Sequence, residues 1–495
     1  MRLAASLAKE SGPWALAGSA AAADPGGVSY ERLSAQDTVF LRIENERQPQ
    51  HVGSLSIYDS APWRDDDGRL RIDELRAFVK SRLHLVPRLR QKLMFVPYGQ
   101  GRPVWVDDED FDIAFHVRLT ALPRPGDDRQ LLELMSRLQS LPLDRDRPLW
   151  EIWFVDGLDN DRGAMVIKTH HALGDGIANV DLGLALLDVT EEPDESRVST
   201  KPWSPKPPPS PTQLWASSVT EQATKPFQLW QAGMRALRSP RAAWSSTANV
   251  GRTLWTMAER PDPAPWNTAV TTHRRWRWAS VDLKVAREVK SAAAVTLNDV
   301  VVSGCTLALR RFLLDHDEEV EDRTLKAMVP VSTRQEDQHG ATLGNKVSMF
   351  MVDLPVGEAD IAAVLDGIHR QTDELKQSGL IDGADAVIRI ADAVTPIAAP
   401  LTRFVSRSIP MNLVVTNIPG PPLPLWFWGA PLLEVYPYVE VVDNEGLTMA
   451  VLSYNDKLFF GITSDRDVVP DLGSLAKHLT DAFDDIAEEI LPPTG

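Results

Sequence analysis

From Leu33 onward, stretches with helical apolar spacing and stretches with strand character follow one another along the whole chain. LSAQDTVFL predicts a short helix, and a strand follows from Val52 to Tyr58. Leu75, Phe78, Val79 and Leu83 recur at helical spacing within IDELRAFVKSRLHLVPRLRQKL, which predicts a long helix from Ile72 to Leu93. The runs around Phe95 and Val104 read as strands, and RQLLELMSRLQSLPL as a helix ended by Pro142. Two strands come next, Trp150–Leu158 and Gly163–His171, joined by the turn-forming run Asp159-Asn160-Asp161-Arg162-Gly163. IANVDLGLALLDV then returns to helical spacing.

The pattern changes between about Glu191 and Asn267. KPWSPKPPPSPT is too rich in proline for regular helix or sheet, and six of the 15 tryptophans lie between Trp203 and Trp266. This segment reads as a connector whose aromatics rest on the units it joins, or as an apolar lid. Alternation resumes near Arg274, with strands at RRWRWASVDL, LKAMVPVSTR, NKVSMFMVDLP, NLVVTNIPGP and Leu447–Asp465. Helices are predicted at LKVAREVKSAA, TLNDVVVSGCTLALRRFLLDH, EADIAAVLDGIHRQTDELKQ and LAKHLTDAFDDIAEEIL. Strands and helices are therefore mixed in both halves, which predicts an α/β fold of the α+β kind, with mixed sheets and a shared cleft. The division expected is a leader at 1–28, an N-terminal domain at 29–190, a Pro/Trp-rich linker with helices at 191–270 and a C-terminal domain at 271–495. The 495-residue length suits two domains plus a connection.

Composition narrows the function. The formal net charge of −17 disfavours nucleic acid, which requires a basic face, and simple electrostatic adhesion to anionic lipid. No apolar run reaches the roughly 18–20 residues of a spanning helix. The small-residue leader lacks the basic start and apolar centre of a strong export signal, so a cytoplasmic protein is expected. The lone Cys305 lies in an apolar helical run and reads as buried and inert.

The candidate chemistry is concentrated in His170-His171-Ala172-Leu173-Gly174-Asp175-Gly176, an HHxxxDG motif at a strand exit. A neutral imidazole can take a proton from a hydroxyl or thiol. Strand alternation sends His170 and His171 to opposite sides, so they should do different jobs. Gly174 and Gly176 ease a turn that places Asp175 either to orient the base or, as favoured here, to anchor the loop. Two histidines and an aspartate could also bind a metal, but adjacent strand residues diverge and no HExxH or CxxC is present. A purely structural histidine pair is the other bland reading. No GxSxG, GxGxxG or Walker A sequence occurs. Thr296-Leu297-Asn298-Asp299 is a capping-box pattern, so Asn298 and Asp299 read first as structural support. Leu423–Val439 and residues 390–405 have the composition of a lipid-contacting wall or, equally, of ordinary core.

HHALGDG resembles the signature of the CoA-dependent acyltransferase superfamily. Its flanking sequences are similar to the bacterial wax ester synthase/diacylglycerol acyltransferase family. The similarity extends through LSAQDTVFL with QPQHVGSLSIYD, PLDRDRPLWE, TLNDVVV, VPVSTR, LGNKVSMFMVDLP, TNIPGP and YNDKLFFGITSDRDVVPD. It omits residues 1 to about 28 and is thin across the linker. The resemblance implies two chloramphenicol-acetyltransferase-like domains with an active-site tunnel at their interface. It implies long-chain acyl-CoA as a substrate rather than a cofactor, and diacylglycerol or a fatty alcohol as acceptor. His171 would be the general base, with His170 and Asp175 completing the motif. Substrate-side positions implied are Pro148, Leu149, Trp150, Arg334, Asn417, Pro419 and Gly420. Arg334 would either anchor Asp175 or touch a CoA phosphate. Peripheral contact with a membrane or lipid droplet fits such substrates. The readings set against it are a condensation-like acyltransferase with a carrier-bound donor and a non-catalytic lipid-binding homologue.

Overall fold

The computed structural model describes residues 30–173, 183–199, 201–220, 261–332, 347–377 and 411–492. Two six-stranded mixed sheets and one three-stranded sheet organise them. The first half supplies β1 (Glu31–Arg32), β2 (His51–Asp59), β3 (Gln91–Met94), β4 (Val104–Asp107), β5 (Val117–Ala121), β6 (Trp150–Asp156) and β7 (Arg162–His170). Its helices are α1 (Ala35–Ile43), α2 (Ile72–Arg82), α3 (Ile113–His116) and α4 (Asp128–Ser140). The second half supplies β8 (Arg274–Asp282), β9 (Leu325–Ser332), β10 (Val347–Leu354), β11 (Leu413–Ile418), β12 (Trp426–Phe427), β13 (Ala430–Val439), β14 (Leu447–Tyr454) and β15 (Lys457–Asp465). Its helices are α5 (Leu283–Ala292), α6 (Leu297–Asp315), α7 (Ile361–Gln377) and α8 (Leu472–Ile490).

The first large sheet has the order β12-β13-β2-β7-β6-β5, and the second β10-β9-β11-β14-β15-β8. Strands β12 and β13 lie far beyond residue 271, yet they complete the first sheet, with Val439 opposite Val52 in β2. The C-terminal unit expected over 271–495 is therefore not one contiguous lobe. The apolar residues of Leu423–Val439 account for the exchange. Leu425, Phe427, Leu432, Tyr436 and Tyr438 are buried in the core of the first sheet, so this run is core strand and not a lipid-facing wall. The companion run at 390–405 lies outside the described residues.

Each large sheet is covered by amphipathic helices. Leu75, Phe78 and Val79 of α2 and Leu131, Leu134, Met135 and Leu138 of α4 fill the first core. In the second, α6 is buried on almost every side between α5, α7 and α8. Cys305 lies at its centre, and burial pushes its thiol up to about 12, so it is inert at neutral pH. The long helix expected from Ile72 to Leu93 stops at Arg82. Pro87 has no N–H to donate, and the chain continues as 3₁₀ turns before β3. In the connector, residues 211–220 are helical, and Leu214 packs on Val96, Val104 and Val106 of the first half.

The two halves meet along a polar seam. The N–H groups of Arg274 and Trp276, two apart on edge strand β8, donate to the hydroxyls of Ser140 and Ser136, four apart on α4, at 2.9 and 3.0 Å. The spacings agree because four helical residues rise about 6 Å and two strand residues about 6.6 Å. Strand β13 also packs on β15, where Gly461 is required: a Cβ there would lie 1.7 Å from the carbonyl oxygen of Pro437.

Candidate active site

Strand β7 pairs with β2 along its full length, with His170 opposite His51. The ladder ends there, and His171 opens a 3₁₀ turn, its N–H donating to the Gln50 carbonyl at 2.9 Å. The two adjacent histidines leave the sheet into different surroundings. His170 is fully buried, and its Nδ1 accepts the N–H of Ala172 at 2.9 Å. With Nδ1 accepting, the ring N–H is on Nε2, which lies 3.2 Å from Oε2 of Glu44. His171 keeps 19% of its side chain exposed and stacks on Phe40, ring centroids 4.0 Å apart.

Helix α1 explains why both rings are held at once. Phe40 and Glu44 are four residues apart and share a face, Glu44 being the C-cap. One therefore meets His171 and the other His170. A carboxylate at a helix C-terminus faces the negative end of the helix dipole, so it needs partners. Glu44 has them. Arg145 donates to Oε2 at 2.8 Å through Nε and again through its terminal nitrogen, and the Gln50 N–H donates to Oε1 at 3.2 Å. Burial alone would raise Glu44, but His170 and Arg145 beside it outweigh burial and hold it at about 2.

The opposite side of His171 faces the second half of the chain. Oε1 of Glu440, just after β13, lies 3.9 Å from its Nε2. Burial lowers His171 to about 4, with a smaller contribution from neighbouring His170, so the ring is an unprotonated imidazole at pH 7. Nδ1 is buried and bonds no other residue among those described. Nε2 is thus the nitrogen available to accept a proton. His51, fully buried, is driven well below its ordinary value by burial and by Lys168, and its Nε2 accepts the N–H of Leu143 at 3.3 Å.

The remaining predicted positions divide into three groups. Pro148, Leu149 and Trp150 are buried behind the histidines. The Leu149 carbonyl accepts the His170 N–H at 3.0 Å, and the Trp150 indole donates to Leu89 at 2.8 Å. Asn298 and Asp299 open α6, where Thr296 and Asp299 form a reciprocal capping box. Asp299 also takes hydrogen bonds from Thr372 and from Nδ1 of His369, both at 2.7 Å, tying α6 to α7. Burial opposes its ionisation, but the bonds from Thr296, Thr372 and His369 hold its carboxyl below the ordinary range. Asn417 pairs with Val451 in the second sheet, and exposed Pro419 follows. Gly420 donates to the Ser453 hydroxyl at 3.1 Å, where a Cβ would come within 2.2 Å of the Ser453 carbonyl oxygen. Gly174, Asp175, Gly176 and Arg334 lie outside the described residues. No group of three or more His, Cys, Asp or Glu side chains suited to a metal occurs among the described residues.

Glu44, Arg145 and Glu440 were not among the predicted residues. Glu44 and Arg145 had a signal, since they sit inside LRIENERQPQHVG and PLDRDRPLWE. Glu440 had none, because only the crossover of β13 brings it to the histidines.

Comparison with known proteins gives a concordant result. Residues 33–301 match the profile of the wax ester synthase/diacylglycerol acyltransferase catalytic domain, and residues 343–487 that of the WS/DGAT C-terminal domain. The chain is 31% identical over 465 residues to a Mycobacterium tuberculosis protein named probable diacylglycerol O-acyltransferase tgs1, covering 91% of this chain and 94% of that one. It is 32% identical over 462 residues to the same organism's tgs2, a probable diacylglycerol O-acyltransferase, covering 92% and 98%. Among solved structures, the wax ester synthase/diacylglycerol acyltransferase from Marinobacter aquaeolei VT8 superposes with a TM-score of 0.66 at 26% identity, covering 93% of this chain and 99% of that one. A starter condensation domain of rhizomide synthetase shares the fold, with a TM-score of 0.56 at 13% identity and coverage of 94% and 95%.

Proposed function

Because this chain belongs to the wax ester synthase/diacylglycerol acyltransferase family, we propose that it esterifies diacylglycerol to triacylglycerol from acyl-CoA, and long-chain alcohols to wax esters as a second activity, with His171 as general base. The observation that carries this reading is the unprotonated His171 ring, fixed between Phe40 and Glu440 at the strand exit. The acceptor hydroxyl gives its proton to Nε2 as its oxygen attacks the thioester carbonyl. The tetrahedral oxyanion collapses, the C–S bond breaks, and the CoA thiolate takes the proton back from the imidazolium. Transfer is direct, so no nucleophilic side chain is used. His170 serves as an anchor through Glu44, and Asp175 as the anchor of the turn.

No single helix among the described residues is long and apolar enough to cross a membrane. Both acceptors partition into bilayers and droplets, so the reading includes peripheral contact with such a surface.

Purified protein with palmitoyl-CoA and either diolein or hexadecanol should release free CoA thiol and form ester, read by thin-layer chromatography. Ester with neither acceptor refutes the activity. A donor confined to a phosphopantetheine carrier would instead favour condensation-like chemistry. Removing a general base typically costs about 10²–10⁴-fold, so His171→Ala should lose at least about 100-fold in kcat while remaining folded. Activity retained in that variant refutes the base assignment.

A further inference from the structure

Glu440 is an unusual group to find beside a general base. Its side chain is 7% exposed, and Oε2 is buried without a hydrogen-bond partner among the described residues. Its backbone is fixed, because its carbonyl accepts the Thr448 hydroxyl at 2.9 Å and the residue follows β13 directly. The carboxyl is thus aimed at the histidine by the fold, without a side-chain partner to hold it there. At 3.9 Å, Oε1 lies just beyond hydrogen-bonding distance of the His171 nitrogen.

We propose that Glu440 is a positioning residue for His171: its carboxyl, delivered by the second half of the chain, faces the nitrogen that takes the acceptor's proton and stabilises the imidazolium formed there. This rests on His171 acting as the base. When Nε2 takes the proton, a positive charge appears at a buried site. A carboxylate about 4 Å away is then the nearest counter-charge, and in these surroundings its effect is far stronger than in water.

The charged and titratable groups around Glu440 determine when it can act. They are His171 at the end of β7, Glu44 on α1, Arg274 on β8, Tyr438 on β13 and Glu445 in the following loop. Arg274 is already committed to Asp465 and to the carbonyls of Thr271 and Arg47. Burial first, and Glu44 second among the opposing influences, lift the Glu440 carboxyl to about 8, against its own backbone hydrogen bond and Arg274. Below that pH the group is a neutral acid, and above it a carboxylate ready to pair with the imidazolium. Catalysis should therefore gain an alkaline limb that belongs to Glu440 and not to His171, whose own titration lies near 4.

The test compares wild type with Glu440→Gln, which keeps size and polarity but cannot ionise. Wild-type kcat/KM, corrected for spontaneous thioester hydrolysis, should rise with a midpoint near pH 8. In Glu440→Gln that rise should vanish, leaving a loss of about tenfold or more at pH 9 and little change at pH 6. A second measurement needs no Glu440 variant. In protein carrying labelled histidine, the His171 resonance, assigned by its loss in His171→Gln, should show a shift with midpoint near pH 8 in the folded wild type. A parallel loss at every pH in Glu440→Gln, or no wild-type inflection near 8 in either measurement, overturns the proposal. The base assignment itself falls only if His171→Ala stays active, so the two failures are distinguishable.

Discussion

Two carboxylates approach the paired histidines from opposite halves of the molecule, and their surroundings could hardly differ more. Glu44, on the floor of the site, is bonded by Arg145 and by the Gln50 N–H, has His170 Nε2 3.2 Å from its Oε2, and is held at about 2. Glu440, on the roof, has one buried oxygen without a partner and is lifted to about 8. Burial raises both; only Glu44 has the cations and donors to overcome it. The contrast separates the histidines as well. His170 has its Nδ1 lone pair taken by the Ala172 N–H and its Nε2 turned to Glu44, whereas His171 keeps an unengaged Nε2. The two sides should also fail at opposite ends of the pH scale. A depressed carboxyl contributes stability above its unfolded value of about 4.5 and loses it as pH falls toward 2. A raised one is tolerated in acid and costs stability as pH climbs from about 4.5 through 8.

The largest effect is expected on the floor. Glu44→Ala removes the acceptor that Arg145 and the Gln50 N–H share and the carboxylate facing buried His170, a loss of about 1.5–3 kcal/mol. His170→Ala should cost stability through the same network. The double variant should lose less than the sum, with a coupling of at least about 1 kcal/mol in denaturant unfolding. His171→Ala should barely move the unfolding midpoint. Additive losses for Glu44 and His170, or a large loss for His171, would erase the distinction between anchor and base.

How much of this was legible beforehand follows from where each partner lies in the chain. The strand exit at His170, the divergence of the two rings and the α6 capping pattern are local, so periodicity and turn chemistry reach them. Glu44 and Arg145 lie in recognisable segments, but their meeting joins a helix end to a loop 101 positions later, which no local pattern reports. β13 was the hardest to read. Pro431 and Pro437 break its strand signal, and its core is formed with β2, several hundred residues earlier. The same crossover brings Glu440 to the site. The helix end at Arg82 differs in kind: Pro87 is plain in the sequence, and only apolar spacing extends the helix through it.

A smaller effect should mark the roof. Glu445, behind Glu440, is also lifted to about 8, by burial first and by Glu440 second. Glu445→Gln removes a group that costs nothing in acid and increasingly more above its unfolded value of about 4.5. Each tenfold change in proton affinity is about 1.4 kcal/mol, so the variant should gain at least about 1 kcal/mol on wild type between pH 5 and pH 8.5. Thermal unfolding at the two pH values checks this. The sign is the sharper point: a gain at pH 5 that shrinks toward pH 8.5 would place Glu445 with Glu44 and dissolve the floor–roof contrast.

The smallest effect lies at the seam that joins floor to roof. Ser140 ends α4 in the first half and accepts the N–H of Arg274 in the second, and Arg274 is the cation nearest in influence to Glu440. Ser140→Ala removes one hydrogen bond and leaves the edge N–H of β8 unpaired, a loss of about 0.5–1.5 kcal/mol. If the roof is held chiefly by β13 packing against β2 and β15, that loss should appear in unfolding alone, with the pH profile of kcat/KM unmoved. If the seam itself sets the Arg274 charge against Glu440, the alkaline limb should move although neither ionisable group has been touched. The two outcomes show whether the halves merely adjoin at the site or jointly set the ionisation of its roof.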